Sequence, residues 1–360
     1  MGLIFNGGFQ YLLTRFHSWK DFTDKSIVML GKQDVGFTYK FFIEKCSSAG
    51  FELKDEDVKG MSNKQLYSRA DSEVLFSMLG FKEVHALDVS DYEGADICVD
   101  LNVTIPEELH GRFDVVYDGG TLEHIFNVKT GLDNISLLTK KGGVIIHDVP
   151  AANWCNHGFY SFSPTLFLDY YMANNFEVNT TYLYVYNFVN GRAQYCTPDC
   201  RLVDVQPILA EKMDLKSERA ILVCVVTKKE DSAVDRIPMQ AMYVDMHKQV
   251  DEVANTLEYM QKKGYKKVAL YGTGAVVRTL IDRIEQIPCE ILGLIDSASD
   301  KIGKELRGYQ IFAVEDIVSQ VDCIVIASFK FADVIEQRLY NMGNTENVEI
   351  INMKKIGDAD

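Results

Sequence analysis

Two stretches of the chain hold residues that could move protons or bind a ligand. The first, Asp114 to Asn127 (DVVYDGGTLEHIFN), begins as an apolar run and breaks at Gly119-Gly120. It resumes as a helical segment with Glu123 and His124 at its start. The second, GVIIHDVP, carries His147 and Asp148, and the loop after it holds His157 and Tyr160. Imidazole titrates near pH ~6.5 when unperturbed, so His124, His147 or His157 could accept a proton from a hydroxyl or an ammonium group. Each also has a bland reading: His124 as a helix cap, His147 as a satisfied strand residue, His157 as a solvated loop residue. A divalent metal held by Asp148 and a neighbour is the minor alternative, and no metal is expected.

Two carboxylates precede these stretches. Asp88 ends the strand FKEVHALDVS, where an α/β nucleotide fold places a carboxylate to accept hydrogen bonds from ribose hydroxyls. One strand later, Asp100-Leu101 offers a polar group beside an apolar one, a pairing that suits the edge and face of adenine. Strand ends often carry Asp simply as a turn residue. The order Asp88, Asp100, DGGTLEH is what favours a binding role.

The elements that must position these residues alternate regularly. KSIVMLGKQ reads as a short strand ending at Gly31, and residues 34–70 as a polar and aromatic insertion without clear periodicity. Asp71-Ser72 cap a helix in which Val74, Leu75, Met78 and Leu79 share a face. Strands at FKEVHALDVS, ADICVDLN and FDVVYDGG follow, then the helix VKTGLDNISLLTK with a Lys-Lys-Gly-Gly stop. After GVIIHDVP, Ser163-Pro164 open another helix. EVNTTYLYVYNFV and RAILVCVVTK have no helix between them and should pair antiparallel at the sheet edge. A charged linker leads to a second α/β unit with a strand–turn–helix at YGTGAVVRTL and Asp296 ending the next strand. The fold class is α/β with two doubly wound Rossmann-like domains. Residues 1–24 form a helical lead-in, 25–229 the first domain, 230–264 linker and helix, and 265–360 the second.

The chain has 360 residues, enough for two cores, and its 47% hydrophobic content is that of a globular protein. A formal charge of −15 argues against a nucleic-acid partner, whose phosphates need a basic face. Eight cysteines do not suggest a disulfide scaffold; Cys98, Cys224 and Cys323 sit in apolar strand contexts. Cys196 and Cys200, in CTPDC, read as two reduced thiols in a loop. With no membrane-length apolar run and no signal-like start, a cytoplasmic location is expected.

The series LDVS, ICVDLN, FDVVYDGGTLEHIFN and LLTKKGGVIIHDVP resembles strands two to five of class I S-adenosylmethionine-dependent methyltransferases, over residues 25–229. It is closest to the branch that acts on small molecules. The resemblance implies a seven-stranded methyltransferase-type sheet with S-adenosylmethionine as cofactor. Gly31 and Gln33 would lie near its methionine part, Asp88 at the ribose, and Asp100 and Leu101 at the adenine. Asp118, Gly119 and Gly120 would face the sulfonium. The family's glycine loop after the first strand is largely replaced here by GKQDVGF, so Gln33 would supply a side chain where backbone is usual. Either the insertion rebuilds the pocket as a lid or the site has decayed. DGGT is also not the Pro-Pro-aromatic turn of DNA amino-methylation.

The second unit resembles the Rossmann-like domain appended to some sugar methyltransferases and sugar acyltransferases. There it would bind a nucleotide or nucleotide-sugar portion, or serve only in packing; Val277 stands where a dinucleotide fingerprint has its third glycine. The expected function is methyl transfer to a hydroxyl or amine of a sugar or glycan-linked small group. The alternatives are a non-catalytic scaffold and a nicotinamide-dependent oxidoreductase using GTGAVV.

Overall fold

A strand buried on both faces sorts its side chains by parity, and β1 (Ser26–Leu30) does so. Ile27 and Met29 join one apolar cluster, Val28 and Leu30 another. In the computed structural model, which describes residues 5–186, 188–189, 192–193, 201–204, 218–283, 289–343 and 347–353, the same sorting runs through the strands around it. These are β2 (Glu83–Asp88), β3 (Ile97–Cys98), β4 (Phe113–Asp118), β5 (Thr139–Ala152) and β6 (Glu177–Tyr186). After a separate two-stranded pair, β7 (Phe188–Val189) with β8 (Arg192–Ala193), come β9 (Arg201–Asp204) and β10 (Arg219–Thr227).

The main sheet has eight strands in the order β3-β2-β1-β4-β5-β10-β6-β9. The strands β3 to β5 are mutually parallel, and β10 runs antiparallel to both β5 and β6. This is the expected seven-stranded arrangement with β9 added at its edge. β10 and β6 do pair antiparallel, but β10 is interior rather than at the edge. Strand order reverses between β1 and β4, which is where open α/β sheets leave a crevice for ligands.

One face of the sheet is covered by the lead-in and the insertion. The lead-in contributes α1 (Gln10–Arg15) and the buried Phe9, Leu12 and Leu13. The insertion is more regular than its sequence suggested. It holds α2 (Tyr39–Ser48), whose Tyr39, Phe42 and Cys46 are buried, then α3 (Asp55–Lys59) and α4 (Asn63–Leu66). Its base is tied by the Ala70 N–H to the Phe37 carbonyl at 3.0 Å and by a bridge between Thr38 and Arg69.

The Asp71 side chain caps α5 (Ser72–Leu79), accepting from the N–H groups of Glu73 and Val74. Val74, assigned from sequence to the apolar face, is exposed, and Phe76 takes its place in the core. Helices α6 (Val128–Leu138) and α7 (Pro164–Ala173) cover the opposite face. The helical start expected at LEH is a single 3-10 turn, Leu122–His124, and α6 begins later. Cys224 and Cys323 are buried as expected, but Cys98 is exposed because the strand ADICVDLN shortens to two residues at the sheet edge. Cys196 and Cys200 lie outside the described residues.

Contacts divide the chain into Met1–Pro238 and Met239–Asp360, a boundary inside the stretch read as linker. The second unit begins with α8 (Ala241–Lys262), which buries Val250, Val253, Leu257 and Met260 along one helical stripe. β11 (Lys267–Tyr271), α9 (Ala275–Ile281), β12 (Glu290–Ile295), β13 (Glu305–Leu306) and β14 (Tyr309–Phe312) follow. α10 (Val314–Ile317), β15 (Cys323–Ile326), α11 (Ala332–Asn341) and β16 (Glu349–Asn352) complete it. Its sheet, β13-β14-β12-β11-β15-β16, is parallel except for the β13–β14 hairpin. Among the described residues, no helix is long and apolar enough to cross a membrane.

Asp148, on β5, is fully buried beneath the lead-in. Its Oδ1 accepts from the Gly8 N–H at 2.7 Å, and its Oδ2 is hydrogen-bonded to the Tyr117 hydroxyl. A Cβ on Gly7 would stand 2.6 Å from this carboxyl, so the lead-in can pack here only as glycine. Burial raises the Asp148 pKa from 3.8 to about 7. The folded chain therefore keeps a proton that the unfolded chain has released, and the Asp148 contribution to stability should fall as pH rises from 3.8 toward about 7, then level off. Urea unfolding of the parent and of Asp148→Asn across that range checks this: the variant should lose most of this pH dependence.

Candidate functional site

The turn after β4 is built around one carboxylate. Asp118 is fully buried, and its Oδ1 accepts from the N–H groups of Thr121 at 3.0 Å and Leu122 at 3.2 Å. Its Oδ2 lies 2.8 Å from His147 Nδ1, and His147 Nε2 lies 2.6 Å from the Tyr171 hydroxyl. A neutral ring protonated at Nδ1 satisfies both contacts, Nδ1–H donating to Asp118 and Nε2 accepting from Tyr171. His147, expected as a candidate base, is thus fully buried with both nitrogens used, and it does not line the cleft described next. Asp118 likewise points into the core rather than toward a ligand.

A cleft of about 900 Å³ opens over the carboxyl ends of β1, β2, β3 and β4. Gly31, Gln33, Asp88, Asp100, Leu101, Gly119, Gly120 and His124, all expected site residues, line it. Gly31 follows β1 with φ +68, and its N–H donates to the Leu87 carbonyl at 2.7 Å. A side chain there would be strained by that φ, and its Cβ would stand 3.3 Å from Thr121 Oγ1 and 3.7 Å from Asp88 Oδ2. Asp88 Oδ1 accepts from the Val89 N–H at 2.6 Å, which holds the carboxylate at the strand end. Asp100 is exposed; its Oδ1 accepts from the Asn102 backbone and side chain, and these bonds lower its pKa. Leu101 beside it is buried, and its carbonyl accepts from Asn134 on α6 at 3.0 Å.

The end of β1 is covered by the Gln33 side chain. Its Nε2 donates to the carbonyls of Leu30 at 2.6 Å and Gly31 at 3.2 Å, folding the side chain back over the end of β1. Its Oε1 is buried without a hydrogen-bond partner and lies against Gly119, where a Cβ would approach it to 2.1 Å. The insertion supplies the outer wall through Asp34, Val35, Arg69 and Ala70. Arg69 is tied to the Val35 carbonyl and to Asp34 at 3.4 Å, while Lys32 pairs with Glu73 at 3.0 Å. Five carboxylates (Asp34, Asp71, Asp88, Glu93 and Asp100) line the cleft against two cations, Lys32 and Arg69.

At the β4 end, His124 lines the cleft and His157 stands beside it, with ring centroids 5.2 Å apart in an edge-to-face arrangement. Burial lowers the pKa of both imidazoles. Between them lies Glu123, fully buried, its Oε1 3.3 Å from His157 Nε2 and 3.9 Å from His124 Nε2. Burial, then the charge of Asp118, raises the Glu123 pKa to about 8. The Tyr160 hydroxyl donates to the Phe126 carbonyl at 2.7 Å, and Asp148 lies outside the cleft. The sequence showed Glu123 as the neighbour of His124. Its meeting with His157, across 34 residues, has no local signal.

In the second unit the glycine turn opens α9, and Val277 is buried in the core. The Asp296 carboxylate is taken up by Thr273 Oγ1, by Lys301 Nζ at 2.9 Å and by the Ala298 N–H at 2.9 Å.

Comparison with known proteins adds a match to the family described as C2185-like, N-terminal, over residues 264–351. No curated protein matches the chain. Among solved structures, a putative S-adenosylmethionine-dependent methyltransferase from Listeria monocytogenes is 12% identical. That alignment covers 62% of this chain and 99% of the other, with a TM-score of 0.31. The 16S rRNA (adenine(1408)-N(1))-methyltransferase from Catenulisporales acidiphilia, as its D21A mutant, is 11% identical over 59% and 91% of the two chains, with a TM-score of 0.30. UDP-D-quinovosamine 4-dehydrogenase from Vibrio fischeri is 20% identical over 26% and 84%, with a TM-score of 0.21.

Gly119 has no left-handed φ, so alanine there meets a steric penalty, chiefly from Gln33 and to a lesser degree from the Tyr117 ring 3.1 Å away. Gly119→Ala should cost about 1–3 kcal/mol in urea unfolding, the usual range for overpacking. Adding Gln33→Ala should recover part of that loss, a coupling that a double-mutant cycle measures.

Proposed function

We propose that the first unit is a methyltransferase that binds S-adenosylmethionine in the cleft and acts on a hydroxyl or amine of a small acceptor, a sugar or glycan-linked group being the expected class. The observation that carries this is the cleft's place and charge. It lies at the reversal of strand order, holds a carboxylate at the end of β2, and is lined by five carboxylates against two cations that are themselves paired. An acidic cleft favours a ligand of net positive charge and disfavours a pyrophosphate or a nucleic-acid backbone. S-adenosylmethionine, with a sulfonium, an ammonium and one carboxylate, is such a ligand; a nicotinamide dinucleotide is not.

The residues present fit this group. Asp88 can accept from vicinal ribose hydroxyls, and Val99, Leu101 and Ile125 supply apolar surface for a purine beside the Asp100 turn. Gln33 Oε1, buried and unpaired beside Gly119, is an acceptor suited to an ammonium or hydroxyl donor. When bound, the cofactor supplies a methyl group already activated by its positive sulfur. The chain's own work is then to hold the acceptor close, exclude water and take up a proton. Asp34, Val35 and Arg69 of the insertion wall the cleft on the solvent side. His124 and His157, their pKa values lowered by burial, are neutral near pH 7 and able to accept that proton.

Calorimetric titration with S-adenosylhomocysteine tests the reading. The parent should bind in the micromolar range, and Asp88→Ala, which removes the ribose acceptor, should weaken binding at least ~10-fold, the cost of about one charged hydrogen bond. A folded parent that shows no binding would overturn it.

A further inference from the structure

We infer that Glu123, His124 and His157 form a binding site for one divalent first-row transition-metal ion at the β4 end of the cleft. The three ligand atoms lie within 4.8 Å of one another; Glu123 Oε1 is 3.3 Å from His157 Nε2 and 3.9 Å from His124 Nε2. Ligands at about 2.1 Å from a metal in tetrahedral or octahedral geometry are themselves about 3.0–3.4 Å apart. Closing the triangle therefore asks chiefly for a small movement of His124, whose side chain is the most exposed of the three.

Three features mark the cluster as built. Glu123 is fully buried, yet its Oε2 has no hydrogen-bond partner. A buried carboxyl left half unsatisfied beside two imidazoles is a costly arrangement without a ligand. The loop carrying His157 is fastened over it: the Phe159 N–H donates to the Glu123 carbonyl at 2.8 Å, and a Cβ on Gly158 would stand 2.8 Å from that same oxygen. His157 also packs on Trp154, with centroids 4.9 Å apart, and the Trp154 indole N–H donates to the Ala220 carbonyl at 3.0 Å.

Two imidazoles and one carboxylate select Zn²⁺, Co²⁺, Mn²⁺ or Fe²⁺ over the all-oxygen preference of Mg²⁺ or Ca²⁺. Three protein ligands leave coordination positions open, and His124 places them at the cleft. A hydroxyl of the acceptor bound there would lose its proton more readily, to solvent; in the metal-loaded chain the imidazoles act as ligands, and direct proton uptake by them applies to the metal-free chain. That last use rests on the methyltransferase reading; the metal site itself does not.

The test is titration of the tag-free, chelator-treated full chain with Co²⁺, followed by calorimetry and visible absorption, with Mg²⁺ as comparison. One equivalent should bind with ligand-field bands and without a thiolate charge-transfer band. Mg²⁺ should bind at least ~10-fold more weakly. Glu123→Gln, which keeps the side chain's shape, and His157→Ala should each weaken Co²⁺ binding at least ~10-fold, circular dichroism confirming that they fold. Absence of stoichiometric binding by the parent overturns the inference, as does affinity unchanged in both variants or a thiolate band placing the ion on cysteines. S-adenosylhomocysteine titration of the same samples is a separate readout. A parent that binds it but no metal sinks only this inference, and one that binds metal but not the nucleoside sinks only the methyltransferase reading.

Discussion

The Asp118 carboxylate is the constraint on which the cleft depends. It holds two backbone N–H groups of the turn after β4 with one oxygen and His147 with the other. A buried carboxyl group is tolerable only when it is hydrogen-bonded, and here both oxygens have partners. With the turn fixed, Gly119 comes against Gln33, Thr121 Oγ1 reaches the Leu30 carbonyl at 2.6 Å, and Glu123 is directed inward below His124. The ends of β1 and β4 are thereby joined at the point where strand order reverses.

Asp118 has a counterpart on the other face. Neighbouring residues of a strand point oppositely, so His147 reaches α7 through Tyr171 while Asp148 reaches the lead-in through Gly8. The two buried acids have taken different electrostatic solutions. Asp118 faces an imidazole and two amides, whereas Asp148 faces an amide and a phenol, and burial drives its pKa up to about 7. The lead-in is therefore a structural part of the first unit: Phe9 packs against Phe37, Phe42 and Phe76, from the insertion and α5.

What the sequence disclosed follows from the range of the interactions. Strand parity, helix caps at Asp71 and Ser163, and the placing of Asp88, Asp100 and Gly119-Gly120 at strand ends are local patterns, and they could be read. The insertion was opaque because its one longer helix, α2, buries only Tyr39, Phe42 and Cys46 over ten residues, and the rest of its buried residues, Val35, Phe37, Phe51 and Ala70, lie outside that helix. His147 looked like a base because a histidine at a strand end beside Asp is what a catalytic pair looks like in sequence. In the fold it is fully buried, with its two ring nitrogens against Asp118 and Tyr171. The pairing of Glu123 with His157 is a product of the tertiary fold.

The two ends of the cleft differ in chemistry, and the difference sets the direction in which a ligand can lie. Around β2 and β3 the wall offers Asp88, Glu93 and Asp100 with Leu101, carboxylates for hydroxyls beside an apolar surface. Around β4 it offers glycine backbone and imidazole, with Glu123 below. A nucleoside suits the first end, and a group that must give up a proton suits the second. The insertion acts on both ends, since Arg69 and Asp34 close the outer wall while the Phe37–Ala70 hydrogen bond fixes the base of that wall to the start of α5. Over the end of β1 the wall is thus made by the Gln33 side chain and the insertion.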